Sequence, residues 1–453
     1  MAKELDSFGG WKGVSAPSTG FFHLKEIDGR WWFIDPEGHG FISVGVNHVQ
    51  ENPDAPVFQK VYGGDLEAWA EADFAYLKEC GFNSIYWTSG KRNTDACRKQ
   101  HFAFAVVLNL IHHPVSRREG PRPDVFSTEF ESFCASVADK VVPDYRDDPL
   151  VLGYMYAGAP FTEMHDWLND IFALPEDSPG KRELVGILRE IHGDDIGSLN
   201  ELYASKFGSF DELLRPGAVR FNADFDPLAR MREGLRVVAD EQLRDFDALC
   251  GAIVGRLGLL AKRHIGERDP NHLVLGPSVK EYNMSGAMWD ALAPHVDVLA
   301  PQHNELIDLH EVYERTGMPI LISDENVGMV PHPGQHHGRL IKGQKERGEI
   351  YEHMLRLNLG YPFVVGAEMC GGVHDNIKEL NPNYSKNGLR DAETDEPHEE
   401  AVSRMVKANA KIYEYAASPL DRTELGRLKS EHQDRWRDAL LPGLWPTYLA
   451  FVM

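Results

Sequence analysis

Short apolar runs alternate with segments of helical periodicity along most of the chain. The runs are Gly40–Val46, Asn83–Trp87, Ala103–Leu108, Leu150–Tyr156, His272–Gly276, Val296–Ala300, Pro319–Ser323 and Phe363–Ala367. They are rich in β-branched and aromatic residues and bounded by turn signals such as Asp147-Asp148-Pro149, as expected of strands buried on both faces. Between them lie amphipathic stretches, the clearest being Leu66–Cys80. Eight strands joined through helices predict an α/β fold of the closed (β/α)8 TIM-barrel class. An open doubly wound sheet would be expected to carry a phosphate loop, and neither GxGxxG nor GxxxxGK[ST] follows any of the runs.

Three segments depart from this rhythm. Near the N-terminus, Gly29–Ile34 and Gly40–Val46 flank the turn Asp35-Pro36-Glu37-Gly38 and predict a β-hairpin whose second arm doubles as strand 1. Residues 165–240 are charged and helical, longer than an ordinary crossover, and predict a helical insertion after strand 4 that shapes a cleft. The end of the chain turns charged and then apolar, finishing Trp445-Pro446-Thr447-Tyr448-Leu449-Ala450-Phe451-Val452-Met453, a run that needs cover from the barrel or a second subunit. The expected division is 1–40 for the N-terminal segment and hairpin, 41–416 for the barrel, and 417–453 for a packed tail, with a homo-oligomer one way of covering it.

Composition narrows the choice of partner. At 453 residues and 42% hydrophobic content, one large core is within reach. The 70 acidic against 47 basic residues, net −23, disfavour nucleic acid and anionic membrane surfaces. Cys80, Cys97, Cys134, Cys250 and Cys370 show no zinc-type spacing and read as reduced thiols. Met1–Asp6 lacks a signal-peptide pattern and no apolar run is long enough to span a bilayer, so the expectation is a cytoplasmic protein.

In a barrel of this class the chemistry sits where strands end at the C-terminal face. Polar residues just past the apolar runs are Asn47 and His48 after strand 1, Trp87 after strand 2, and His112 and His113 after strand 3. Lys280, Glu281 and Tyr282 follow strand 5, and Gln302, His303 and Asn304 follow strand 6. Asp324 and Glu325 follow strand 7, and Glu368 and Asp375 follow strand 8. Carboxylates with aromatic, amide and imidazole neighbours are the kit of glycoside hydrolysis, in which one carboxyl protonates the leaving oxygen and the other attacks or activates water. No cofactor and no metal are expected: His332, His336 and His337 read as a solvent-facing loop, and Cys370 as a packed thiol.

The run Gly29-Arg30-Trp31-Trp32-Phe33-Ile34-Asp35-Pro36-Glu37-Gly38-His39, followed by Phe41-Ile42-Ser43-Val44-Gly45, resembles the opening of β-agarase-type glycoside hydrolases. Ile191–Tyr203 with Phe207–Leu214 is similar to a pattern shared with barrel β-galactosidases, and Asp269–Gly276 resembles the entry to strand 5 of the same enzymes. The likeness runs in order from about residue 29 to 415. It implies a retaining barrel hydrolase with an acid/base at the end of strand 4 and a nucleophile at the end of strand 7. Where the family ends strand 4 in an Asn-Glu or related acidic pair, this chain reads Tyr156-Ala157-Gly158-Ala159-Pro160, without an acid. Glu163 and Asp166 are the nearest carboxylates beyond it, and Glu281 is a further candidate. At strand 7 a gapless match through Gly328 places Asp324 on the family's Glu, ahead of Glu325. Only one of these neighbours is expected to face the cleft. Glu368 stands where the agarases tend to carry an aromatic residue or His, an additional carboxylate able to donate a proton.

The reading is a glycoside hydrolase for a β-linked, galactose-containing oligosaccharide or related glycoside, with Asp324 or Glu325 as nucleophile and Glu163, Glu281 or Glu368 as acid/base. Asn47, His48, Trp87, His112, Tyr282, Gln302, His303 and Asp375 are the expected sugar-binding residues. Two alternatives stand beside it. One is a barrel that binds carbohydrate without cutting it, and the other is a lyase or isomerase moving protons through His48, His303 and Lys280.

Overall fold

The apolar runs pair as expected, but the chain bends at Ile42, so that Gly40–Val46 serves two sheets. In the computed structural model, which describes residues 4–49, 56–87, 90–111, 121–225, 238–304, 307–331, 339–375 and 385–442, a four-stranded antiparallel sheet comes first. Its strands are β1 (Trp11–Ser15), β2 (His23–Ile27), β3 (Arg30–Ile34) and β4 (His39–Phe41), in the order β1-β4-β3-β2. The expected hairpin is the centre of this sheet. Its turn is fastened by the Asp35 carboxylate, whose Oδ1 accepts from the backbone N–H groups of Glu37, Gly38 and His39 at 2.9–3.0 Å.

Past Ile42 the chain enters β5 (Ser43–Val46), the first barrel strand. The others are β6 (Ser84–Ile85), β7 (Ala103–Ile111), β8 (Val151–Gly158), β9 (Val274–Val279), β10 (Ala300–Pro301), β11 (Ile320–Asn326) and β13 (Val364–Cys370). The eight form a parallel sheet in the order β10-β9-β8-β7-β6-β5-β13-β11. A parallel bridge from Leu299 to Ile320 closes it, with Leu299 N–H donating to Pro319 and Leu321 N–H to Leu299, both at 2.9 Å. The predicted TIM barrel is therefore the observed one. A short antiparallel pair, β12 (Val330–Pro331) with β14 (Ser385–Lys386), sits outside it.

Alternation along the strands divides the side chains between two environments. Ile42, Val44 and Val46 pack into the large core between sheet and helices, whereas Tyr86, Leu152, Leu275, Val298, Leu321 and Val365 fill the lower lumen. Phe22, Phe33 and Phe41 of the N-terminal sheet join this inner cluster and stopper the base of the barrel. Arg30 ties the two parts together: its buried guanidinium donates to the carbonyls of Leu359, Tyr361 and Val364 at 2.9–3.0 Å.

After β8, helices at Met164–Ala173, Pro179–Ile191 and Ile196–Tyr203 precede the 27-residue helix Asp240–Gly266 that returns the chain to β9. Near the C-terminus, helix Arg422–Ala439 buries Leu425, Leu428, His432 and Trp436, and the chain then pairs with the Leu340–Ile341 segment. The final apolar run lies outside the described residues. Among the described residues no helix is long and apolar enough to cross a membrane.

Candidate active site

Above the apolar floor the lumen turns polar. Ser43 and Ser84 hydroxyls lie 2.7 Å apart and reach Glu368 Oε1 at 2.6 and 2.9 Å. On the opposite wall Ser278 and Ser323 hydroxyls meet at 2.9 Å, and Gln302 Nε2 donates to Ser278 Oγ at 3.2 Å. Glu368 has no exposed surface, and its carboxyl needs the space left by Gly45, where a Cβ would stand 2.0 Å from Oε2. Burial pushes this carboxyl up to about 7, the two serine hydroxyls opposing the rise and the charge of Asp324 adding to it. A carboxylic acid that keeps its proton well above the usual carboxyl range thus lies one layer beneath the mouth.

The mouth itself is organised by Asn47. Its Nδ2 donates to the Ser323 carbonyl at 2.5 Å and to Asp324 Oδ1 at 3.1 Å, while its Oδ1 accepts from Trp87 N–H at 2.9 Å. One side chain thereby fixes the ends of the first, second and seventh barrel strands. A register shift between Ile322 and Glu325 lets Asp324 follow Ser323 to the lumen side. His48 Nε2 lies 3.4 Å from Asp324 Oδ1, and Cys370 Sγ belongs to the same group, the three ligand-type atoms all within 4.8 Å of one another. Burial opposes ionisation of Asp324, but His48 and the Asn47 amide outweigh it and hold the carboxyl below its usual range. Burial likewise opposes protonation of His48, and Asp324 reverses that, raising the imidazole well above its ordinary value. The two form an ion pair at the mouth.

His48 adopts a left-handed backbone with φ 59°, as do Asn109 (52°) inside β7 and Ala159 (44°) just past β8. Non-glycine residues in this region carry strain, and such positions gather at functional sites. The His48 ring leans on Trp87, centroids 5.3 Å apart.

The end of β8 explains itself through the same tryptophan. A Cβ built on Gly158 would stand 1.9 Å from Trp87 Cη2, so the indole fills the space a side chain at that position would enter. Glu163, in the loop beyond, has a left-handed backbone (φ 52°) and an exposed carboxylate 3.4 Å from Arg122, whose guanidinium also holds the Glu163 carbonyl at 2.5 Å. It lines a recess with Phe161, Phe225, Phe246, Asn283 and Met284, between the β8 loop, the insertion and the β9 loop.

The remaining sequence candidates are distributed unevenly. Glu281 is fully buried, with Oε2 accepting from His303 N–H at 3.2 Å and Oε1 3.5 Å from His303 Nδ1. Glu325 is buried beside its exposed-side neighbour Asp324, its register partner being Met369 in the layer against the helices. Asp375 is spent on structure, accepting from Gly388 N–H at 2.9 Å and pairing with His398 at 2.8 Å. Asp166 meets His165 at 3.5 Å near the surface. Tyr282 and Lys280 are half-buried at the end of β9, and Asn304 is buried against Asn358. His112, His113, His332, His336 and His337 lie outside the described residues. Cys370 is the thiol that the sequence reads as packed. It is half-buried at the mouth, whereas Cys80, Cys97, Cys134 and Cys250 are buried, and all five are free.

No family model matches the chain. It is 20% identical to β-agarase B of Vibrio sp. (strain JT0107) over 80% of its own length and 45% of that protein's, so it spans less than half of that relative. An agarase structure superposes with a TM-score of 0.72 at 19% identity, covering 91% of this chain and 68% of that one. An exo-β-agarase gives 0.71 at 18%, covering 92% and 68%. The barrel has the same fold as these agarase structures. A β-galactosidase from the haloarchaeon Halorubrum lacusprofundi follows at 0.52 and 14%, covering 84% of this chain and 59% of that one. At these identities the likeness is one of fold, and chemistry has to be argued from the mouth of this barrel.

Proposed function

We propose that the chain is a β-glycoside hydrolase acting on a galactose-containing, agar-type or related oligosaccharide, with Asp324 as its nucleophile. The observation that carries this is the placement of Asp324. It is an ionised carboxylate at the C-terminal mouth of an agarase-like barrel, oriented by Asn47 and His48 and flanked by the Trp87 indole, a surface suited to a sugar face. Glu163 is assigned as proton donor because, of the two exposed carboxylates just beyond β8, it and not Asp166 lines the recess walled by aromatic rings. Glu281 and Glu368 are sealed from a substrate by His303 and by the serine pair, so they support the site from beneath.

The second reading, carbohydrate binding without cleavage, draws on the end of β8, Tyr156-Ala157-Gly158-Ala159-Pro160, which carries no carboxylate. Proton NMR of the anomeric signals, with aryl β-galactosides and agar-derived oligosaccharides, decides between them. Hydrolysis with retained configuration, lost in Asp324→Asn and reduced by about 10²–10⁴-fold in Glu163→Gln, is the expected result. The Glu163→Gln deficit should shrink on aryl glycosides with good leaving groups, which need no proton. Saturable binding of an intact oligosaccharide with no turnover would replace the hydrolase with the binding protein.

A further inference from the structure

The geometry points to a zinc-type divalent-cation site at His48, Asp324 and Cys370, whose occupancy blocks the carboxylate assigned above as nucleophile. Three strands, β5, β11 and β13, bring together one nitrogen, one oxygen and one sulfur ligand atom, all within 4.8 Å of one another. The separation of His48 Nε2 from Asp324 Oδ1 is the informative distance. At 3.4 Å it is long for a charge-assisted hydrogen bond, which settles at about 2.7–2.9 Å. It matches the edge of a tetrahedron around zinc: metal–nitrogen and metal–oxygen bonds of about 2.0–2.1 Å at the tetrahedral angle put the two ligands about 3.3 Å apart. Sulfur, at about 2.3 Å from the metal, fits the third corner within the observed span.

The surroundings supply what such a site requires. Asn47 Nδ2 donates to the ligating oxygen Asp324 Oδ1 at 3.1 Å, an outer partner that fixes the carboxylate. His48 is presented from a strained, left-handed backbone position. Its side chain is 35% exposed and that of Asp324 12%, so an ion can enter from the mouth and a fourth position stays open to water. Three protein ligands with an open corner are the arrangement of an accessible zinc rather than a closed structural one. Coordination displaces the proton from the thiol and from the imidazolium, and it takes the Asp324 carboxylate out of service for attack on a sugar. This last step rests on the assignment of Asp324 made above.

Cobalt(II) added to the full chain, stripped of metal with EDTA, tests the ligand set without reference to activity. One equivalent should give tetrahedral visible bands and a sulfur-to-cobalt charge-transfer band. Zinc should displace the cobalt, and Cys370→Ser should lose the sulfur band and bind zinc more than about 100-fold more weakly, beyond the cost of losing an outer partner alone. On the unmodified chain, zinc should protect Cys370 from alkylation, read by peptide mass spectrometry, which keeps the test independent of whether Cys370→Ser folds. Absence of stoichiometric binding, survival of the sulfur band in Cys370→Ser, or alkylation of Cys370 at an unchanged rate overturns the site. Turnover of an aryl glycoside should fall with the same half-saturation as zinc binding and return with EDTA. Binding that passes the cobalt and alkylation tests yet leaves turnover intact overturns the blockade and, separately from the site, the role of Asp324 as nucleophile.

Discussion

Gly158→Ala is the smallest change that probes how β8 ends. The glycine is not there for its backbone freedom, since it is not among the residues with positive φ. It is there for space: the added methyl would lie 1.9 Å from Trp87 Cη2 and 2.6 Å from Cζ3. Carbon atoms in contact settle about 3.5–4.0 Å apart, so the indole must retreat by about 1.6 Å or more. Retreat is resisted by the His48 ring against the indole, while the Asn47 bond to the Trp87 backbone N–H keeps the main chain from moving with it. Overpacking of this kind costs about 1–3 kcal/mol. In a Trp87→Ala background the obstacle is gone, and the same substitution should be neutral or stabilise by about 0.5 kcal/mol through the unfolded chain. Denaturant midpoints for wild type, the two single variants and the double variant give the coupling directly, expected at about 1–3 kcal/mol. Equal destabilisation by Gly158→Ala in both backgrounds would refute the packing argument.

Glu368 and Arg347 yield two further predictions. Because the Glu368 carboxyl is raised from 4.5 to about 7 in the fold, the folded state holds an extra proton between those values. Stability therefore falls as pH rises through that window and levels off above it, by an amount on the order of 3 kcal/mol. Glu368→Gln should flatten this slope in urea denaturation from pH 5 to 7.5. Asp35, also raised to about 7 by burial and by Asp6, titrates in the same window, so the difference between the two proteins is the quantity to compare. A slope unchanged by Glu368→Gln would count against a buried neutral carboxyl. Arg347 is wholly buried and clasps the carbonyls of Asn387 and Gly388, with no carboxylate in ion-pair contact among the described residues. Arg347→Met should cost about 1–3 kcal/mol for each stranded acceptor and speed amide exchange in 385–391, and unchanged exchange there would contradict the clasp.

The barrel was legible because each of its strands is an apolar run between turn signals, and a run buried on both faces needs no partner to be recognised. The N-terminal sheet was half legible. β3 and β4 carry the aromatic hairpin, but β1 and β2 expose so many of their residues that they leave no alternating signature. The bend at Ile42 was invisible because both halves of Gly40–Val46 are apolar, and only the pairing partners differ. At the site, strand ends marked Asn47, His48, Asp324 and Glu368 one at a time. That Asn47 would bridge to Ser323 and Asp324, 276 and 277 residues away, is a property of barrel closure and of the register shift at Ile322, neither of which is local. The meeting of Cys370 with His48, from the opposite end of the chain, is non-local in the same way.

The stopper at the base of the barrel also governs how the molecule is made. Phe22, Phe33 and Phe41 find their lumen only when the last strands arrive, and Arg30 waits for carbonyls 329 and more residues further on. At a synthesis rate of about 5–20 residues per second, the N-terminal sheet spends tens of seconds outside the ribosome with three phenylalanines uncovered. During that interval it is a sticky edge in search of a partner. Residues 11–41 are in this sense made before the barrel that houses them, and a chain cut short before β13 would leave them with no home at all.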